Sequence, residues 1–137
     1  MFTQNYENLP VSDIMISLDL CPIVSETTIF KEALNKMDIC GLGILCITSE
    51  VGKLNGILTE GDIRRLLLKV QKPFSALLVD DIKNYLNPSP ITIFPDTPII
   101  DGIKIMTNKK VWDLPVVDKD NFLKGILHLH QVFNDFS

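Results

Sequence analysis

Apolar residues recur at helical spacing at Phe30, Ala33, Leu34 and Met37, and again at Ile99, Ile103 and Met106. Each stretch therefore predicts a helix with one buried face. Thr28 and Thr97 are placed as the N-caps, with Pro98 at the first helical position. Behind each helix come two short apolar runs, joined by the turn-like stretches SEVGK and DKDN, and this predicts a β-hairpin in each half. The last strand of each hairpin leads into a second amphipathic helix, from Glu60 in one half and from about Leu129 in the other. Ahead of each first helix lies an extended segment containing a proline, Pro22 or Pro90. The predicted order is strand, helix, strand, strand, helix, twice over.

That doubling is an internal repeat at an offset of about 69 residues. VSDIM from Val11 pairs with VDDIK from Val79, and Cys21–Val24 with Ser89–Thr92. Thr28–Met37 pairs with Thr97–Met106, LGILCIT from Leu42 with WDLPVVD from Trp112, and Gly56–Leu58 with Gly125–Leu127; single-residue insertions absorb the differences. The fold class is α+β: an N-terminal tail or linker remnant over 1–9, one repeat over 10–68, a connector over 69–78 and a second repeat over 79–137. A unit of about 60 residues is marginal alone, so the two copies are expected to pack as a pseudo-symmetric pair, sheet against sheet. The connector is not rich in Gly or Ser and carries Phe74, Leu77 and Leu78, which predicts a packed segment instead of a flexible tether.

Composition narrows the function. The chain has 137 residues, 46% of them hydrophobic and 22% charged, enough for a core. Seventeen acidic against thirteen basic residues give a net charge of −4, which argues against a phosphate-tracking nucleic-acid surface. The apolar runs are far shorter than the roughly 20 residues of a membrane-spanning helix. The opening MFTQNYENLP has neither a basic flank nor an apolar core, so no secretory signal is expected. Cys21, Cys40 and Cys46 are odd in number and lack CxxC spacing, and they are read as small core residues in a reducing cytoplasm.

GILTEGDIRRLL from Gly56 and its repeat resemble a tandem pair of cystathionine-β-synthase (CBS) domains, over nearly the whole chain. The strings PVSDIM, GLGILCI, TEGDIRR and GILHLHQVF are most similar to the C-terminal CBS pair of D-arabinose 5-phosphate isomerase-type enzymes. The resemblance implies a regulatory module with no catalytic residues and no required cofactor in this chain. Its candidate ligands are AMP, ATP, CMP or a CMP-activated sugar. It also implies a homodimer and, in the full-length gene product, an aldose-ketose isomerase (SIS) domain in cis. The CBS pair of a sugar-nucleotide transferase, with a similar TDGDIRR-like string, is the alternative family context. A structural dimerisation module with vestigial clefts is the alternative function. An isomerase acting alone would need a nucleophile–base pairing or a glycine-rich phosphate loop, and neither is recognisable.

Within that frame the strongest local signal is Thr59-x-x-Asp62 at a strand-to-helix junction. Asp62 suits the paired hydroxyls of a ribose, each of which donates to a carboxylate. Thr59 and the first-turn backbone N–H groups suit a phosphate, and Arg64 or Arg65 could hold one bidentately. The bland reading of the same residues is a helix cap, a favourable charge and a solvated basic face. In the second copy His128 stands for Thr59 and Gln131 for Asp62, so that site is expected to be weak, empty or adapted to something other than ribose, with His130 close by. Ile23, Val24, Ile91, Gly43, Ile44, Leu114 and Pro115 are expected as apolar walls for a base or sugar, or as simple core. Trp112 is read as a packed or interface residue. His128-x-His130 suggests a metal, but a third ligand is not evident, so no metal is expected.

Overall fold

The structure, a computed structural model, describes residues 8–130. Its strands and α-helices are β1 (Ile16–Ser17), β2 (Ile23–Ser25), α1 (Phe30–Cys40), β3 (Ile44–Thr48), β4 (Leu54–Thr59), α2 (Glu60–Lys69), α3 (Phe74–Leu78), α4 (Ile99–Lys109), β5 (Asp113–Val117) and β6 (Leu123–His128). They fall into two compact units whose limits differ from those of the sequence repeats. One unit holds residues 21–90, and the other joins the chain up to Leu20 to the chain from Ile91 onward.

In the unit 21–90 the sheet order is β2-β3-β4, with β2 parallel and β4 antiparallel to β3. Ile44, Leu45, Cys46 and Ile47 are all buried, which is why β3 reads as a continuous apolar run with no alternation. The predicted face of α1 packs on it: Phe30, Ala33 and Met37 form a core with Leu45, Ile47 and Leu58. The connector adds to this core through Leu77 of α3, and Ile82 joins it from a short turn just beyond. Lys72 Nζ lies 2.5 Å from Asp80 Oδ2, the Tyr85 hydroxyl donates to the same carboxylate, and the Tyr85 ring meets Phe30 edge-on at 5.7 Å. These contacts tie the connector down at both ends.

In the other unit the sheet order is β1-β6-β5, with both neighbours antiparallel to β6, and Ile93 forms a parallel bridge to Val116. The core is built from Val11, Ile93, Ile99, Met106, Leu114, Val116 and Leu127.

The two units use the same joints. Ile29 bridges Asp81 as Pro98 bridges Pro10. The Phe30 N–H donates to Asp80 O and the Ile99 N–H to Leu9 O, each at 2.8 Å. This corrects the expected Thr28 and Thr97 caps: the helices start at Phe30 and Ile99, capped at Ile29 and Pro98 without a side-chain bond. The first helical N–H is satisfied by a carbonyl from a distant segment, so no hydroxyl is needed there.

The register is also simpler than the sequence alignment suggested. Ile44 faces Thr59 and Asp113 faces His128, so one offset serves helix and hairpin without insertions, and the counterpart of Gly43 is Trp112, not Asp113. The leading segments match differently again. Val11 and Ile82 occupy equivalent buried positions, in place of the expected pairing of Val11 with Val79, which is 64% exposed. Each leading segment is packed with the body of the other repeat.

Candidate functional site

β4 ends on an extended Thr59 and α2 begins at Glu60, so the junction is a single residue long. Thr59 Oγ1 accepts the Asp62 N–H at 3.1 Å while Asp62 Oδ2 accepts the Thr59 N–H at 3.0 Å, a reciprocal capping box. Asp62 Oδ1 receives the Arg65 guanidinium at 2.8 Å. Partial burial pushes the Asp62 carboxyl up, but the bonds from Arg65 and Thr59 outweigh it and hold the group below its ordinary value of 3.8. A depressed folded-state value stabilises the fold fully above the ordinary value, and that contribution fades as pH falls through the folded one. Asp62→Asn is therefore expected to flatten the acid limb of stability: between about pH 5 and pH 3 the urea midpoint of the parent falls further than that of the variant. Equal falls would mean the carboxylate is not held as described.

Ile44 lies opposite Thr59 and is fully buried. Gly43 O accepts the Glu60 N–H at 3.0 Å, and the Glu60 side chain lies over Gly43, where a Cβ would come within 3.0 Å of it. The structure thus brings Gly43, Ile44, Thr59, Asp62 and Arg65 to one end of the sheet. Ile23 and Val24, on β2, pair with Cys46 and Ile47 farther along β3 and are half-buried. Arg64 is exposed on α2. A cavity of about 340 Å³ opens between α1 and α2, walled by Leu34, Met37, Leu42 and Ile63 with Asp38 and Glu60 beside them. None of the residues predicted for ligand contact lines it.

In the other unit His128 closes β6 directly opposite Asp113, and residues 129 and 130 are already helical. His128 Nδ1 and Asp113 Oδ1 are 2.6 Å apart, and the rings of His128 and His130 have centroids 6.2 Å apart. Leu114 is buried in the core cluster, Pro115 is buried with its carbonyl accepting the Ile93 N–H, Ile91 is partly exposed and Trp112 largely so. Gln131 lies outside the described residues. Sequence reasoning missed Asp113 because an alignment one residue out set it against Gly43; the uniform offset places it at the position of Ile44.

Among the described residues, no group of three or more His, Cys, Asp or Glu is arranged to hold a metal ion, and no helix is long and apolar enough to cross a membrane. No disulfide joins the three cysteines; Cys21 and Cys46 are buried and Cys40 is half-buried.

Comparison with known proteins places this architecture. The CBS domain family matches residues 11–69 and again 79–136, and the chain belongs to that family as a tandem pair. It is 30% identical over 124 residues to arabinose 5-phosphate isomerase KdsD of Salmonella typhi, covering 90% of this chain and 36% of that protein. The chain therefore spans little more than a third of the length of that curated relative. Among solved structures, CBSX2 in complex with AMP superposes with a TM-score of 0.81 at 25% identity, covering 93% of this chain and 96% of that one. The CBS domain pair of MJ0100, in complex with 5′-methylthioadenosine and S-adenosyl-L-methionine, gives 0.75 at 25% identity, with 93% and 94% covered. As a CBS pair the chain is a regulatory module without catalytic activity by itself.

Proposed function

We propose that the chain senses a nucleotide or nucleotide-activated sugar and serves as the regulatory C-terminal module of a sugar-phosphate isomerase of the arabinose 5-phosphate type. The observation that carries this reading is the junction at Thr59, where a carboxylate, a hydroxyl and two guanidinium groups lie within about two helical turns. Asp62 would take the ribose hydroxyls, and Arg64 or Arg65 the phosphate together with the first-turn N–H groups of α2. The Arg65–Asp62 pair is half exposed, with the Arg65 side chain 54% accessible, so its exchange for a ligand contact costs little. Gly43, Ile23 and Val24 would wall the base or sugar, and Ile91, His128, His130 and Gln131 would serve the second half, whereas Ile44, Leu114 and Pro115 are buried and take the core role that was their alternative. The AMP complex of CBSX2 and the adenosine-derived ligands of MJ0100 support a nucleotide, and the relation to KdsD supports the isomerase context; an SIS domain in cis, a homodimer and a cytoplasmic location complete the proposal. A ligand would act by favouring one arrangement of the module over another, to the extent that its affinities for the two differ.

Calorimetry with AMP, ATP, CMP and CMP-linked sugars tests this. Loss of a charge-assisted bond of about 1.5–3 kcal/mol predicts roughly 10- to 100-fold weaker binding for Asp62→Ala, and for Asp62→Asn, which keeps an acceptor for the cap. No binding by any of the four, or equal binding by both variants, overturns the reading. One observation favours a second function, a structural dimerisation module: Thr59, Asp62 and Arg65 already satisfy one another. In that case mass would depend on concentration while no ligand shifted the melting temperature.

A further inference from the structure

We propose that His128 and His130, with Asp113 behind them, form a binding site for a late first-row divalent ion, Zn²⁺, Ni²⁺ or Cu²⁺. Asp113 Oδ1 lies 2.6 Å from His128 Nδ1. A carboxylate accepts, so the proton of that bond belongs to Nδ1, and in the neutral ring the lone pair is left on Nε2, the nitrogen away from Asp113. A carboxylate that receives one ring N–H fixes the tautomer and the orientation of the ring, as it does behind metal-ligating imidazoles generally. Strand pairing sets Asp113 directly opposite His128, and its side chain is 8% exposed against 23% for the histidine, so the carboxylate sits inside and the ring nearer solvent.

The second imidazole is close. The two ring centroids are 6.2 Å apart at an interplanar angle of 55°. With metal–nitrogen bonds of about 2.0–2.1 Å, two rings on one tetrahedral ion have centroids about 5 Å apart, so His130 has to swing inward by about 1 Å. His130 is exposed, and exposed side chains change rotamer within nanoseconds. Two imidazoles fill half of a tetrahedral set and leave the remaining positions to water or an added ligand, and imidazole nitrogen suits zinc, copper and nickel. The other half of the chain has Ile44 and Thr59 at the positions of Asp113 and His128, so the site belongs to one repeat alone.

The chain contains two histidines, so an imidazole signature can arise nowhere else. The test is calorimetry of the untagged full chain with Zn²⁺ and Ni²⁺, and electron paramagnetic resonance with Cu²⁺. The expected result is one ion per chain with nitrogen hyperfine splitting, lost in His128→Ala and in His130→Ala, and weakened about 10- to 100-fold but not abolished in Asp113→Asn. His130→Ala alters an exposed side chain and is expected to melt as the parent does without metal, which separates loss of binding from loss of fold. Absence of binding at micromolar ion, or binding unchanged when both histidines are replaced, overturns the site. Unchanged affinity in Asp113→Asn overturns the role of the carboxylate. None of these outcomes depends on whether a nucleotide binds at Thr59.

Discussion

Phe30→Ala is expected to lower the unfolding free energy by about 3–5 kcal/mol, a large share of the 5–15 kcal/mol of a typical domain. Phe30 is fully buried at the first turn of α1, in one core with Ala33, Leu45, Leu58, Leu77 and Ile82. Its ring receives Tyr85 edge-on, and its N–H holds the carbonyl of Asp80. Removing the ring leaves a cavity bordered by segments far apart in the sequence, and such a site collapses poorly. Urea unfolding measures the change, with Phe30→Leu as a milder partner expected to lose about 1 kcal/mol. A loss below about 1 kcal/mol for the alanine variant would show that the ring is not a keystone of this core.

Gly56→Ala is expected to cost about 2–3 kcal/mol for the opposite reason, a side chain where there is no room. A Cβ at Gly56 would stand 2.5 Å from the carbonyl oxygen of Asn87 and 2.6 Å from Leu86 Cδ1. The obstruction is backbone, and Asn87 is held there by paired bonds with Ile57 at 2.8 and 3.0 Å. Relief therefore requires the leading segment 80–87 to lift from β4. Gly41→Ala is the informative comparison: it sits at φ +70° in open space and is expected to lose about 1 kcal/mol through backbone strain alone. If the two variants were equally stable by urea unfolding, the close approach at Gly56 would carry no weight.

The parts of this fold that were legible in the sequence are those decided within a few turns of chain. The faces of α1 and α4, the two hairpins and the start of α2 follow from apolar spacing and turn residues, and the packed connector follows from Leu77. The hairpin register did not follow, because β3 and β5 are buried on both faces. An alignment that set Ile44 against Leu114 matched apolar to apolar as well as the true pairing of Leu45 with Leu114 does. Nor did the partnership of the leading segments, since Val11 and Ile82 fit their cores by shape and backbone bonds that no local pattern encodes. The junction at Thr59 and Asp62 was visible because both residues lie within one turn. Asp113 was not, because its meeting with His128 depends on the register that the sequence left open.

The exchange of leading segments also bears on the order in which the chain can fold as it is made. The unit 21–90 is one continuous stretch, so it has all of its parts once Asn87 and Pro90 have left the ribosome. The other unit is closed by Val11 and Ile16 against Ile99 and Ile126, which are made much later in the chain. Its first strand must wait, unpaired, through the synthesis of more than a hundred residues, and its closure carries the entropic cost of that long loop. The unit that bears Thr59 and Asp62 is thus the one that can assemble first, and the unit that bears His128 closes only after it.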